Sequence, residues 1–196
     1  FWVHCLSTKW FAQRVFTVSY DQRQLIHDKL GIPLDKIGVT YNGWEHMAKV
    51  QPDESIFERM PAVKKGEYFY ALGSLAGHKN FKWIREVARR NPDKTFVVAG
   101  GKDLRAFGDD TEAKDTHNVF YPGYVSDAEN AALMKHCLLF LHPAVFEGFG
   151  IPPLEALALG APIALAKASC LPELYGDTAR YFDPYDYEVD LDALAA

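Results

Sequence analysis

Short apolar runs alternate with amphipathic segments from residue 67 onward. The apolar runs predict β-strands at 68–72, 95–99, 119–121, 138–142 and 162–165. The helical spacing of apolar side chains predicts helices at 80–90, 127–136, 153–159 and 171–175. Strands that alternate with helices form a parallel sheet that is covered on both faces. The sequence therefore predicts an α/β fold with a Rossmann-like parallel sheet and helices on both faces.

A glycine follows the end of four of the predicted strands, at Gly73, Gly100, Gly123 and Gly148. Parallel sheets of this kind bind ligands outside the carboxyl ends of their strands. We therefore expect four loops to converge on one edge of the sheet and to form the ligand site there.

The residues before 67 follow a different pattern. Strands are predicted at 15–19 and 36–41, with a helix at 21–30 between them. Residues 44–66 are mixed, polar and interrupted by proline, which indicates a linker with at most a short helix at 53–59. The sequence begins with Phe1 instead of Met and stops inside an apparent helix, so we expect a piece of a longer polypeptide.

Composition narrows the class of protein. Hydrophobic residues make up 48% of the 196, which is ample for a packed core, and the net charge of −5 argues against binding to nucleic acid. No apolar run is long enough to span a membrane. The three cysteines are widely spaced and form no C-x-x-C pair, so we expect reduced thiols in a cytosolic protein.

Charge is distributed unevenly along the chain. Residues 59–105 hold 11 basic and 4 acidic side chains, whereas residues 106–196 hold 4 basic and 15 acidic ones. Chance combined with solvated helix faces explains this imbalance, and so does a basic half that faces a diphosphate. Composition leaves both interpretations open.

The segment 147–155, Glu-Gly-Phe-Gly-Ile-Pro-Pro-Leu-Glu, places two carboxylates eight positions apart. Glycine lets the backbone bend, and proline is tolerated in the first turn of a helix but no deeper. We therefore expect Glu147 on a loop and Glu155 in the first turn of a helix. A strand, a glycine turn and a helix N-terminus together hold phosphate, whereas carboxylates accept hydrogen bonds from hydroxyl groups. A ligand that offers both groups is a nucleotide sugar.

The same segment resembles the E-x7-E motif of the family-four retaining glycosyltransferases, which have the two-domain GT-B fold. Segments 140–143, 155–163 and 171–174 on its flanks match as well. Upstream, 72–75 with 78–80 resembles the donor-diphosphate segment of that family, and 17–19 and 41–43 resemble the end of its first domain. The chain looks most like bacterial mannosyl- and rhamnosyltransferases.

This resemblance implies the C-terminal half of a GT-B glycosyltransferase. Residues 1–45 correspond to the tail of the N-terminal, acceptor-binding domain, and residues 46–66 to the linker at which the two halves close. Residues 67–196 correspond to the domain that binds the nucleotide-sugar donor, truncated at its C-terminus. The full-length enzyme would transfer a sugar with retention of anomeric configuration, and the chain alone would be inactive.

Three charged side chains receive roles from the resemblance. Glu147 is the catalytic candidate and would lie against the donor sugar; the alternative is a loop carboxylate in solvent. Glu155 would bind the ribose hydroxyls, although a glutamate in a first helical turn also favours the helix dipole by about 0.3–1 kcal/mol. Lys79 would neutralise the leaving diphosphate; the alternative is a solvated lysine on a helix face.

The other donor-binding candidates are Gly73, Ser74, Gly123, Tyr124, Val125, Gly148, Phe149, Gly150 and Ile151. Residues 123–125 resemble the segment that edges the nucleobase, or else form a plain strand-to-helix turn. Ser74 stands where the family often has arginine, and Ala144 where many members have serine, so one cation and one hydroxyl are missing from the expected site. Glu173 is expected either to cap a short helix or to line the rim of the cleft.

The resemblance implies no cofactor and no metal, with a GDP-sugar favoured over a UDP- or ADP-sugar as donor. The expected acceptor is a glycan or a lipid-linked sugar in polysaccharide biosynthesis, and nucleic acid is not expected as a partner. We expect a cytoplasmic protein with peripheral membrane contact at the inner face through the N-terminal domain. Two other functions stay open: a nucleotide-binding module without catalysis, and a nucleotide-sugar epimerase of GT-B type.

Overall fold

The computed structural model describes residue 8 and residues 10–74, 76–100 and 116–196. The strands are β1 Val15–Thr17, β2 Ile37–Val39, β3 Tyr68–Leu72, β4 Thr95–Ala99, β5 Val119–Gly123, β6 Leu139–His142, β7 Ile163–Ala166 and β8 Arg180–Phe182. The α-helices are α1 Tyr20–Leu30, α2 Phe81–Arg90, α3 Asp127–Lys135, α4 Ile151–Ala158, α5 Leu171–Tyr175 and α6 Leu191–Ala195. Leu75 of the predicted diphosphate segment and Cys5 lie outside the described residues.

Six strands form one parallel sheet in the order β5-β4-β3-β6-β7-β8. The chain moves outward from β3 through β4 to β5, then returns to the other side of β3 and moves outward again from β6 to β8. The order therefore reverses between β3 and β6. In open parallel sheets, ligands bind in the crevice at such a reversal. Strands β1 and β2 form a separate two-stranded parallel sheet.

Both faces of the large sheet are covered. All four residues of β6 and all four of β7 are buried. Successive strand residues point to opposite faces, so burial of every residue requires packing on both sides. The predicted Rossmann-like sheet is therefore confirmed. Tyr68, Phe69 and Tyr70 of β3 are at most 1% exposed, as expected for the centre of the core.

Helix α2 is attached to the far edge of the sheet by an aromatic stack. Trp83 lies over Phe182 of β8, with ring centroids 4.1 Å apart and an angle of 16° between the planes. The indole Nε1–H donates to the backbone oxygen of Asp186 at 2.6 Å. Strand β8 was not predicted from the sequence, and burial of this tryptophan depends on it. Burying such a side chain is worth roughly 1.5–3 kcal/mol.

Local sequence explains several boundaries. Ser126 and Glu129 form a reciprocal capping box that begins α3, which confirms Ser126 as the predicted N-cap. Ser19 caps α1, and Gly31 ends it in the left-handed conformation, at φ 63°. Strand β5 is longer than predicted and includes Gly123 as its last residue.

The predicted linker packs on α3. It contains two 3-10 segments, Met47–Lys49 and Glu54–Arg59, where the sequence predicted one short helix. Arg59 pairs with Glu129 at 2.9 Å, and His136 pairs with Glu54 at 2.8 Å. The division of the chain at residues 45 and 66 stays a prediction. Among the helices of the described residues, none has the length and apolar character that crossing a bilayer requires.

Candidate functional site

The two loops at the reversal of the sheet carry an ion pair. Lys79 follows β3 and Glu147 follows β6, and these strands are hydrogen-bonded neighbours. The Lys79 Nζ lies 2.5 Å from Glu147 Oε1, and the two side chains are 18% and 10% exposed. The expected positions of both residues, on loops at the carboxyl edge of the sheet, agree with this geometry. Neither alternative, a solvated lysine or a solvated loop carboxylate, matches these exposures.

A second donor reaches the same oxygen of Glu147. His142, the last residue of β6, is 2% exposed, and its Nε2 lies 2.8 Å from Glu147 Oε1. Burial lowers the pKa of His142, and the hydrogen bond to Glu147 offsets this only in part. The imidazole is therefore neutral at pH 7. Because a carboxylate can only accept, we assign the proton to Nε2, which donates.

The carboxylate of Glu147 is ionised at neutral pH. Burial alone would raise its pKa, but hydrogen bonds from His142 and Lys79 outweigh that effect and lower it below the ordinary value. Both donors use Oε1. Within the described part of the chain, no hydrogen bond to Oε2 is observed, so this oxygen keeps its capacity to accept one.

The backbone of Glu147 is held as firmly as its side chain. Its carbonyl oxygen accepts hydrogen bonds from Gln22 Nε2 at 3.2 Å, Ser169 Oγ at 2.9 Å and Cys170 Sγ at 3.2 Å. Ser19 Oγ donates to the next carbonyl, that of Gly148, at 2.9 Å. The loop after β6 is thus fixed both by α1 and by the segment after β7.

Three of the predicted glycine loops meet at the sheet edge. The Gly73 N–H donates to Ala99 O at 3.1 Å, and the Gly100 N–H donates to Gly123 O at 3.3 Å. Gly100 has φ 99°, and a Cβ there would lie 2.2 Å from Gly73 O, so only glycine fits. A Cβ on Gly73 would lie 3.8 Å from Cδ of Lys79. The structure therefore brings Gly73 beside Lys79.

Asn80 fastens the loop after β3 to the loop after β6. Its φ of 54° is left-handed, which is uncommon outside glycine. Its Nδ2 donates to Pro143 O at 3.2 Å and to Pro184 O at 3.0 Å. In addition, the Val145 N–H donates to His78 O at 2.9 Å. These bonds fix the 3-10 turn Gly77–Lys79 and with it the origin of the lysine side chain.

Helix α4 begins earlier than predicted. It starts at Ile151, after Gly150 in a left-handed conformation at φ 86°. The prolines at 152 and 153 have no N–H. Within the described residues, the N–H groups of Phe149, Gly150 and Ile151 donate to no protein acceptor. The role of these amides in binding an anion or a hydroxyl group stays a prediction.

The expectation that Glu155 lies in the first helical turn is wrong. Because the helix begins at Ile151 instead of 153, Glu155 is its fifth residue, and the first turn holds no acidic side chain. A favourable interaction with the helix dipole therefore does not explain this glutamate, since that effect fades after the first turn. Its Oε1 lies 2.8 Å from Nε2 of His46, in the linker, and its side chain is 16% exposed.

The remaining predicted residues are not brought into contact with the ion pair. Ser74 is exposed, and Tyr124 is 72% exposed, whereas Val125 is buried at 8%. Within the described residues, no hydrogen bond joins Ser74, Tyr124 or Val125 to Lys79 or Glu147. Their roles in binding the diphosphate and the nucleobase stay predictions.

Glu173 caps a helix, but it is α1, which has 11 residues and is distant in sequence, and not the short helix that was predicted. Its carboxylate oxygens accept the backbone N–H groups of Tyr20 and Asp21, both at 2.8 Å. These are the first two N–H groups of α1. The contact joins α1 to the segment after β7 on the same side as the bonds to Glu147.

In the part of the chain that the structure describes, no group of three or more histidine, cysteine, aspartate or glutamate side chains is arranged to hold an ion. Cys137 and Cys170 are buried free thiols, and burial raises the pKa of each, that of Cys170 to about 11.

Residues 52–194 match the family model described as glycosyl transferases group 1. The chain belongs to this family. Among curated proteins, it is 28% identical to the O-antigen chain mannosyltransferase RfbU of Salmonella typhimurium, over 89% of this chain and 48% of that protein. It is 27% identical to O-antigen chain mannosyltransferase B of Escherichia coli, over 94% of this chain and 50% of that protein. The chain spans about half the length of these relatives.

Solved structures share the fold of the chain. HepE of Anabaena, solved in complex with UDP and glucose, superimposes with a TM-score of 0.79 at 19% identity, over 98% of this chain and 58% of that one. A glycosyltransferase from Rickettsia africae gives a TM-score of 0.76 at 16% identity, over 95% and 54%. At these identities the likeness establishes the fold alone. It agrees with the predicted half of a GT-B glycosyltransferase.

His142, Asn80 and Gln22 were not predicted as site residues. His142 ends an apolar run and reads as strand core, and Asn80 reads as the start of a helix. The sequence signal that could have identified them is their position close to predicted site residues. Nothing in the sequence near Gln22 points to Glu147, from which it is separated by 125 positions.

Proposed function

We propose that the full-length protein transfers a sugar from a nucleoside diphosphate to an acceptor hydroxyl, with retention of the anomeric configuration. One observation carries the proposal. An ionised carboxylate with a free oxygen and a lysine ammonium meet at the reversal of the sheet, in a chain of the group 1 family. A sugar hydroxyl needs such an acceptor, and a leaving diphosphate needs such a cation.

In the proposed reaction, Glu147 orients the donor sugar. Its Oε2 accepts a hydroxyl of the ring, and its negative charge stabilises the positive charge that develops at the anomeric carbon. The acceptor oxygen bonds to that carbon as the bond to the diphosphate oxygen breaks, on the same face. The proton of the acceptor hydroxyl passes to the departing phosphate oxygen, so no further base is required.

Lys79 and the open amides serve the leaving group. Negative charge on the diphosphate grows as the sugar departs, and the Lys79 ammonium together with the N–H groups of Phe149, Gly150 and Ile151 would neutralise it. We propose no metal and no cofactor, since these groups suffice for that role. Glu155 would take the ribose hydroxyls through Oε2, because its Oε1 faces His46.

Mannose from GDP-mannose is the donor that we propose, in preference to UDP- or ADP-sugars. The support is that two of its relatives are named O-antigen chain mannosyltransferases. The acceptor would accordingly be a glycan or a lipid-linked sugar in polysaccharide biosynthesis. The protein would be cytoplasmic and would contact the inner membrane face peripherally, which co-sedimentation of the full-length protein with anionic lipid vesicles tests.

The deciding experiment is transfer by the full-length protein with GDP-mannose, UDP-glucose and ADP-glucose as donors, with lipid-linked oligosaccharide as acceptor. We expect GDP-mannose to be consumed and Glu147→Ala to abolish transfer while circular dichroism stays unchanged. Glu58→Ala is the matched control, because Glu58 is exposed in the linker. Undiminished turnover by Glu147→Ala contradicts the proposal.

The same experiment separates the two other functions. A nucleotide-binding module, which the serine at 74 in place of arginine would fit, binds GDP in calorimetric titration but transfers nothing from any donor. An epimerase converts the donor to its isomer without any acceptor, which chromatography of the nucleotide sugars detects. Either result would replace the transferase assignment.

A further inference from the structure

His142 is a buried histidine with one polar partner on the site. It is 2% exposed, and its ring lies nearly parallel to that of Phe140, with an angle of 16° and centroids 6.4 Å apart. Its Nε2 reaches Glu147 Oε1 at 2.8 Å. As the last residue of a central strand, it is fixed by the sheet on one side and by core packing on the other.

Under the proposed function, the hydrogen bond from Lys79 to Glu147 does not last through the reaction. Lys79 is partly exposed and reaches Oε1 through four methylene groups, and its charge is the one that a diphosphate would attract. When Lys79 turns to the phosphate, it gives up its bond to Glu147. His142 is too buried to follow. Its donor remains in place whether the diphosphate is present or absent.

The glutamate side chain has three rotatable bonds, and the last of them, Cγ–Cδ, turns the carboxylate group. With Oε1 held by His142, rotation about the last bond is blocked, and Oε2 keeps one direction. Without that bond, and with Lys79 on the phosphate, Glu147 would sample several orientations. Misplacement of a catalytic group by about 1 Å can cost about 100-fold in rate.

We propose that His142 is a positioning residue, whose Nε2–H holds Oε1 of Glu147 so that Oε2 meets the donor sugar while Lys79 binds the diphosphate. The proposal deepens the proposed function and rests on it. A histidine that only packs in the core contributes the volume of its ring. A positioning histidine must also supply an N–H group at the place of Nε2, and turnover should depend on that group.

Substitutions at position 142 separate these two roles. His142→Gln can place an amide N–H near the position of Nε2, whereas His142→Leu fills the space without a donor. The matched control is His136→Leu, which removes a histidine at the same 2.8 Å from a carboxylate, Glu54, in the linker. Steady-state transfer from GDP-mannose and calorimetric titration with GDP are measured for each variant of the full-length protein.

We expect His142→Leu to lower kcat by about 10- to 100-fold and to raise KM for GDP-mannose, because Oε2 of Glu147 contacts the sugar of the bound donor as well. GDP affinity should stay within about threefold of that of the unsubstituted protein, since GDP lacks the transferred sugar that Glu147 contacts. His142→Gln should recover most of the lost kcat, and His136→Leu should retain all of it. Equal losses in His142→Gln and His142→Leu would mean packing alone and overturn the proposal, as would a loss in His142→Leu no larger than in His136→Leu.

A spectroscopic measurement keeps the proposal testable if His142→Leu fails to fold. Long-range 1H–15N correlation spectra of the unsubstituted protein at pH 7 should show a neutral imidazole protonated on Nε2, with signals that move in Glu147→Gln. A ring protonated on Nδ1 alone overturns the proposal, because it has no proton to donate to Glu147.

Binding measurements separate failure of this proposal from failure of the transferase assignment. If the unsubstituted protein transfers nothing, the affinities of GDP-mannose and GDP are compared instead. Loss of the preference for GDP-mannose in His142→Leu but not in His142→Gln supports positioning in a protein that only binds. An unchanged preference in His142→Leu overturns the positioning role.

Discussion

The ammonium of Lys79 and the carboxylate of Glu147 pair at 2.5 Å between loops that follow neighbouring strands. Both side chains are largely withdrawn from solvent, so each depends on the other. A buried acceptor that loses its partner costs about 1–3 kcal/mol, and more if it is charged. We therefore expect the ion pair to stabilise the fold when the site is empty, and the two side chains to bind the ligand when it is occupied.

Lys79→Met should weaken GDP binding by about 10- to 100-fold, because a hydrogen bond to a charged group is worth about 1.5–3 kcal/mol. It should also lower the midpoint of thermal unfolding, because Glu147 keeps its charge and only His142 remains as a donor. Calorimetric titration and differential scanning calorimetry measure the two effects. Lys82→Met is the matched control, because Lys82 is exposed on α2. Equal GDP affinity in Lys79→Met and Lys82→Met would exclude Lys79 from the diphosphate site.

Acid should destabilise the fold in two stages. The pKa of His142 lies below its ordinary 6.5, so the folded protein binds fewer protons than the unfolded chain, and stability falls as pH drops below 6.5. The pKa of Glu147 lies below its ordinary 4.5, so the stability that its carboxylate contributes is lost as pH falls further.

Urea unfolding at a series of pH values tests both stages. In His142→Gln, the free energy of unfolding should decline less steeply below pH 6.5. In Glu147→Gln, which keeps the buried imidazole, it should decline less steeply below pH 4.5. A stability that rises between pH 6.5 and 5 in the unsubstituted protein, after subtraction of the His142→Gln profile, is incompatible with a buried neutral histidine.

Local sequence was sufficient for five of the six strands of the large sheet and for the edge that carries the site. Each strand from β3 to β7 contains an apolar run of its own, and glycines follow several of these strands; close approach explains the glycines at 100 and 73. Both signals are local, and the strands were predicted from the first of them. Strand β8 was missed because three residues, Arg180–Phe182, carry no periodicity, and its place depends on pairing with β7.

The side-chain network around Glu147 lay beyond local sequence. Gln22 and Glu147 are 125 positions apart, and Lys79 and Glu147 are 68 apart, so only the assembled sheet brings them together. The start of α4 was misplaced for a different reason. Proline disfavours the helical conformation for the residue before it. Ile151 nevertheless begins the helix, because Gly150 turns the chain directly into it.

Gly100→Ala should destabilise the fold by about 1–3 kcal/mol from backbone strain alone, since φ there is 99°. The added methyl would also collide with Gly73 O and displace the loop that leads to Lys79. Chemical denaturation gives the free energy of unfolding. Gly77→Ala is the control, because its φ is not left-handed and no atom lies within 4 Å of the added carbon, so a change within about 0.5 kcal/mol is expected. Equal stability of the two variants would exclude the close approach at Gly100.

Glu173 offers a test of how α1 is joined to the rest of the site. It accepts the N–H groups of Tyr20 and Asp21, and the same helix sends Gln22 to the carbonyl of Glu147. Glu173→Ala should therefore speed hydrogen exchange at the amides of residues 20 and 21. The expected factor is about two to five, because an exposed charged contact is worth about 0.2–1 kcal/mol, and it should shrink in high salt.

The loss of the Glu173 contact should also affect the loop after β6, to which α1 is hydrogen-bonded. With α1 less firmly held, Gln22 and Ser19 lose alignment with the carbonyls of Glu147 and Gly148, so kcat for sugar transfer should fall while GDP affinity is kept. Glu58→Ala, in the linker, should change neither exchange nor turnover. If exchange at residues 20 and 21 quickens in Glu173→Ala but kcat is unchanged, then α1 is anchored by Glu173 without positioning Glu147, and the bonds from Ser169 and Cys170 are sufficient to hold that loop.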